Sequence, residues 1–82
     1  MSMNSIIGEL LGVSSFVSRR DGKTLYSIRM VVNDRVVVMF YNDKELYDKL
    51  SSLERMTVVH LFGDLRVKDE NSFSFVPKSF EI

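Results

Sequence analysis

RVVVMFYNDKELYDKLSSLERMTVVHLFGDL, residues 35–65, changes its hydrophobic period twice. Arg35–Tyr41 is a run of β-branched and aromatic residues, too short for a typical helix and suited to a strand. Over Asn42–Leu53 the period lengthens. Leu46, Leu50 and Leu53 fall at i, i+4 and i+7, which is one face of a helix. Asn42 can cap that helix, and Glu45, three residues on, completes a capping-box pattern. Asp43 and Glu45 suit the positive end of the helix dipole, and Lys49 and Arg55 suit the other end. From Thr57 the period returns to two, with Val59, Leu61, Gly63, Leu65 and Val67 on one face and Val58, His60, Phe62, Asp64 and Arg66 on the other. The stretch predicts strand, helix, strand, with the helix near residues 43–53.

Towards the N-terminus, Ile6–Ser18 reads as a long extended segment. Ile7, Leu11, Val13 and Val17 alternate with Ile6, Leu10 and Phe16, so both faces are partly apolar. Gly8 and Gly12 suggest a bulge or a sharp coil, where one long strand bends to serve two sheets. Asp21-Gly22 is a hairpin signal, because glycine readily takes the positive φ of a tight turn. Leu25–Val32 is the second strand, with Tyr26, Ile28 and Met30 on one face and Leu25, Ser27, Arg29 and Val31 on the other. Asn33-Asp34 is a second tight turn, leading into the third strand. Beyond the fourth strand, Lys68–Asn71 is a polar turn and Phe73–Ile82 a fifth strand. Pro77 removes a ladder donor there, so this strand is expected at an edge or kinked.

The element order is β-β-β-α-β-β. A ferredoxin-like fold needs two helices, a ubiquitin-like fold puts its helix after two strands, and an SH3-like barrel normally lacks this helix. The order fits a single all-β domain over residues 1–82: a five-stranded OB-fold Greek-key barrel with one short α-helix between strands 3 and 4.

Composition sets further bounds. Eighty-two residues bury only a small core, and without cysteine no disulfide can staple it. Stability must come from closing the sheet, packing the helix or self-association. The start, MSMNSIIGELLG, lacks a basic n-region, and its apolar run is broken by Gly8, Glu9 and Gly12. No run is long enough to span a membrane. A cytoplasmic protein without a membrane partner is the expectation. Eleven basic and eleven acidic residues give a formal charge of zero, which argues against a strongly electrostatic nucleic-acid binder. The signs are unevenly spread. Residues 1–42 carry five basic side chains (Arg19, Arg20, Lys23, Arg29, Arg35) against three acidic ones (Glu9, Asp21, Asp34).

Within this frame the residues resemble the OB-fold single-strand-binding family of bacteria, their phages and mobile elements. MTVVHLFGDLRVKDENSFSFVPKSFEI resembles that family's alternating fourth strand with a Gly-x-Leu, its polar turn, and a fifth strand ending apolar–acidic–apolar at Phe80-Glu81-Ile82. RVVVMF followed by a helix is similar to the third strand and connecting helix of bacterial single-strand-binding proteins. The DGKTLYSI and MTVVHL segments are similar to the small gene-V-type proteins of filamentous phages. The chain departs from the bacterial proteins in having no acidic C-terminal tail and no tryptophan. The resemblance implies single-stranded DNA as partner, with RNA as the alternative, and places Phe40 where the bacterial proteins hold a base-stacking phenylalanine.

Catalytic chemistry has little to stand on. His60 is the sole histidine and sits mid-strand, there is no thiol, and no nucleophile elbow or phosphate loop is present. No cofactor, metal or small-molecule substrate is called for, and the chain reads as a non-enzyme. Binding has more support. Single strands are held by a basic groove that tracks phosphates and by aromatic rings that stack on bases. In an OB barrel that face centres on strands 2 and 3, with the loops between strands 1–2 and 4–5. The candidates are Arg19, Arg20 and Lys23 in the first hairpin, Arg29 on strand 2, Phe40 on strand 3, Phe62 and Arg66 on strand 4, and Phe73 near the last turn. Alternatives stand beside several of them: a solvated face for Arg29, core for Phe40, a subunit interface for Phe62. Tyr26 aligns with a loop tyrosine of the phage proteins, which leaves a binding role open, but it shares a face with Ile28 and Met30, which favours the core; Phe75, Phe80 and Ile82 are assigned to the core.

Strand 3 is apolar on both faces, so a ligand, a second subunit or both must cover the one outside the barrel. Two functions follow: a single-stranded-DNA-binding protein of phage, plasmid or mobile-element replication or transfer, acting as a homodimer or larger homo-oligomer, or an OB-fold protein-interaction module without nucleic acid.

Overall fold

A computed structural model describes the backbone of residues 4–69 and 72–82 and the side chains of 4–66 and 74–82. The elements are β1 (Asn4–Val17), β2 (Thr24–Val32), β3 (Arg35–Tyr41), α1 (Lys44–Ser51), β4 (Val58–Asp69) and β5 (Ser72–Glu81). They form one antiparallel five-stranded sheet in the order β3-β2-β1-β4-β5. The long β1 pairs with β4 through its first half and with β2 through its second, so it coils from one side of the barrel to the other. The edge strands β3 and β5 then approach each other. Between them lies a cavity of about 450 Å³, lined by Val37 and Met39 from one edge and Phe75 and Val76 from the other. This is the OB fold that the element order predicts.

The interior is filled by Leu10, Tyr26, Ile28, Met30, Met39, Tyr41, Val59, Leu61 and Phe75, with Leu46 and Leu50 contributed by the helix. Half-buried Leu53 packs against them just past its end. Tyr47 stacks on Tyr26 with ring centroids 4.6 Å apart, fixing α1 to the second strand. The Tyr41 hydroxyl is buried without a hydrogen-bond partner among the described residues. Burial, reinforced by Tyr47, Tyr26 and Asp43, pushes its pKa above the ordinary phenol value, so the ring stays neutral.

Three expectations are corrected. The helix is capped by Asp43, not Asn42: the Leu46 N–H donates to Asp43 Oδ1 at 3.1 Å, and Asp43 holds the extended backbone of an N-cap. Glu45 is therefore free of a capping box and lies 3.4 Å from Lys49 one turn on. The hairpin between β1 and β2 is a wider loop than a two-residue turn at Asp21-Gly22. It runs over residues 18–23, closed by the Ser18 N–H donating to the Lys23 carbonyl and the Gly22 N–H to the Ser18 carbonyl. Ile82 lies outside the core at 79% exposure, because it follows the last ladder pair, His60 with Glu81. The second turn is as expected, with Asn33 and Asp34 both at positive φ, as a tight hairpin of the primed type requires.

Candidate nucleic-acid interface

Register decides which side chains meet outside the barrel. Across β2 and β3, Ser27 opposes Phe40, Arg29 opposes Val38 and Val31 opposes Val36. Ile28 and Met30, with Met39 and Tyr41, point inward and are buried. Their neighbours must then point outward, because successive strand residues alternate between faces. Phe40 stands on the outer face at 54% exposure, with Val38 and Val36 beside it.

The outward face continues onto β1, where Gly12 opposes Arg29, Ser14 opposes Ser27 and Phe16 opposes Leu25. Pairing shifts between Leu10 and Gly12, so a bulge there changes which residues face in. Leu10 is buried and Phe16 is 40% exposed, although the two share parity in the sequence. Phe16 reaches across β2 to meet Phe40 edge-on, with ring centroids 6.0 Å apart and planes at 87°. Phe16 was absent from the sequence candidates. The bulge signal at Gly12, carried forward along the strand, is what would have found it.

The basic candidates divide by position. Arg29 is exposed beside the aromatic pair, and its Nη2 lies 3.8 Å from the point where a side chain on Gly12 would begin. Arg19, Arg20 and Lys23 are exposed in the loop that extends this face past Phe16. Asp21, the acid among them, is turned into its own loop, where Lys23 N–H donates to Asp21 Oδ1 at 3.0 Å. Among the described residues none of these four cations forms a salt bridge.

The other candidates lie elsewhere. Phe62 opposes Ser5 at the far end of β1 from Phe16. It is half-buried on the outer face of β4, stacked on His60 with centroids 4.4 Å apart. Arg66 is exposed further along β4. Phe73 pairs with Val67 in the β4–β5 ladder, and its side chain lies outside the described residues. Ile7 and Val58 are exposed on the same outer side as Phe62, forming a second apolar area on β1 and β4.

No protein-family model and no curated protein match this sequence. Solved structures do. The chain is similar to the mitochondrial single-stranded DNA binding protein Rim1 from S. cerevisiae. With one crystal form it shares 14% identity and a TM-score of 0.76, covering 99% of this chain and 94% of that one. A second form gives 14%, 0.76, 98% and 91%. The selenomethionine-labelled protein in that second form gives 15%, 0.72, 98% and 91%. At these identities the likeness is one of architecture: over nearly its whole length the chain has the OB fold of that single-stranded DNA binding protein.

Proposed function

We propose that this protein binds single-stranded DNA largely without sequence preference, on the outer face of β1, β2 and β3. The exposed Phe16–Phe40 pair beside Arg29 carries the reading. Aromatic rings stack on any base, and a small number of cations tracks the phosphates. The likeness to Rim1 supports it. Replication or transfer of phage, plasmid or mobile-element DNA in the cytoplasm is the setting the sequence resemblance suggests.

Arg19, Arg20, Lys23 and Arg29 on one subunit, with Asp21 offsetting one, give about three neutralised phosphates and a log–log salt slope of about −2. Fluorescence anisotropy with labelled oligo-dT, beside the duplex of the same length, tests this. Single strands should be preferred, and Arg29→Ala should flatten the slope by somewhat under one unit. If the parent does not bind oligo-dT in low salt, the protein-interaction module takes the place of this reading.

Self-association belongs to the same proposal. Ile7 and Val58 expose apolar surface on β1 and β4, away from the Phe40 face, and a core this small gains from a partner. Sedimentation equilibrium at micromolar concentration should give at least a homodimer, and Val58→Lys should shift it towards monomer. A monomeric parent would remove self-association and leave the DNA reading standing.

A further inference from the structure

Outside β1, β2 and β3, side chains stand on a lattice of rows. One row is Ser14, Ser27 and Phe40; the next is Gly12, Arg29 and Val38. Gly12 leaves its lattice point vacant. No neighbouring atom comes within 4 Å of a side-chain origin there except Arg29 Nη2, at 3.8 Å. The open point is bounded by the Arg29 guanidinium on one side and by Ser14, one same-face step along β1, on the other. Ser27 stands diagonally across, against Phe40. Among the described residues neither serine side chain makes a hydrogen bond, so both hydroxyls are free to donate.

We infer that Gly12, Ser14, Ser27 and Arg29 form a seat for one backbone phosphodiester of the bound strand, a subsite that rests on the single-strand reading above. Adjacent strands lie about 4.8 Å apart and same-face residues about 6.6 Å apart, so the Phe40 position, two strands over and one step along, stands about 12 Å from the open point, a little more than one nucleotide away along a bound strand. A non-bridging oxygen takes two N–H donors from the planar guanidinium, and its partner oxygen takes the serine hydroxyls. A base further along the same strand then lies over the Phe16–Phe40 pair. The glycine leaves the seat open: a methyl there would only touch the guanidinium, at 3.8 Å, whereas a branched side chain would fill the seat and lift Arg29 from β1.

Two variants and two strands test the seat. Ser14→Ala/Ser27→Ala alters no charge and exchanges exposed or half-exposed hydroxyls, so folding should be retained, as circular dichroism would verify. It should weaken oligo-dT binding about tenfold and leave the salt slope unchanged. Gly12→Val adds a strand-forming side chain in the seat. It should weaken binding at least tenfold and flatten the slope by somewhat under one unit, through loss of the Arg29–phosphate contact. The decisive comparison uses an abasic strand of the same length in low salt. If the serines hold phosphate, the ratio of parent to double-variant affinity persists on the abasic strand. If it appears only with oligo-dT, the serines read bases and the seat is refuted. If the parent binds oligo-dT and the double variant matches it, the seat is refuted while the binding face stands. If the parent does not bind at all, both fall together.

Discussion

Phe40→Ala is expected to weaken binding to oligo-dT at least tenfold while leaving the salt slope within error of the parent. The ring stands on the outer face at 54% exposure, so its loss opens no cavity and the variant should keep its melting temperature. What is lost is stacking, worth roughly 1–3 kcal/mol per base. Tenfold corresponds to about 1.4 kcal/mol. Charge is untouched, so the number of displaced counterions is too. Phe16→Ala should have a smaller effect of the same kind, because Phe16 meets Phe40 edge-on and holds it over β2. The double variant should cost less than the two single effects combined, since both rings serve one platform. A Phe40→Ala protein that binds like the parent would place the interface elsewhere. A slope that flattened with the ring would mean that Phe40 orders the cations rather than stacking.

The distinction between core and surface at Phe40 shows where sequence stops being informative. The helix was legible because Leu46, Leu50 and Leu53 repeat on a helical face and the flanking strands repeat on alternate residues. Its cap was misplaced by one position because Asn42 and Asp43 are both competent caps, and only the geometry, with the Leu46 N–H donating to Asp43 Oδ1, distinguishes them. In β2 the facing was legible, since Tyr26, Ile28 and Met30 alternate with Ser27 and Arg29. In β3 it was not: Val36, Val38 and Phe40 are as apolar as Val37, Met39 and Tyr41, so alternation carries no sign. Only the ladder to β2 settles it, by placing Met39 opposite Ile28 and Phe40 opposite Ser27. In β1 the bulge was legible at Gly12, but a bulge reverses the facing of every residue after it, and Phe16 was left on the face of Leu10. Half of the aromatic platform was missed for that reason. The basic loop was visible because charge needs no register to be read.

Gly63→Ala is expected to destabilise the protein strongly, although it adds a single methyl group. β4 and β5 slip register beside this residue: Phe62 opposes Ser79 and Gly63 opposes Pro77, so Lys78 is the extra residue of a bulge. There the backbone of β5 leans onto β4. A methyl on Gly63 would run into the Val76 carbonyl and lie 2.9 Å from Pro77 Cα. Those are main-chain atoms, which cannot rotate aside, and Pro77 is itself fully buried with a fixed φ. Relief requires the two strands to separate where Leu61 and Phe75 fill the core. Overpacking a close-packed interior costs about 1–3 kcal/mol or more. In a domain of this size about 1 kcal/mol moves the melting temperature by roughly 4–8 °C. A drop of about 10 °C or more should appear in a thermal melt followed by circular dichroism. Gly12→Ala is the matched control. Its methyl would meet one flexible guanidinium at 3.8 Å, so that variant should melt within a few degrees of the parent. The same clash predicts a dissociation of stability from function. Gly63 lies on the β4–β5 side of the barrel, whereas Phe16, Arg29 and Phe40 project from β1, β2 and β3. Well below its melting temperature, the Gly63→Ala protein should bind oligo-dT as the parent does. A Gly63→Ala protein that melts with the parent would mean that the β4–β5 bulge is open in solution.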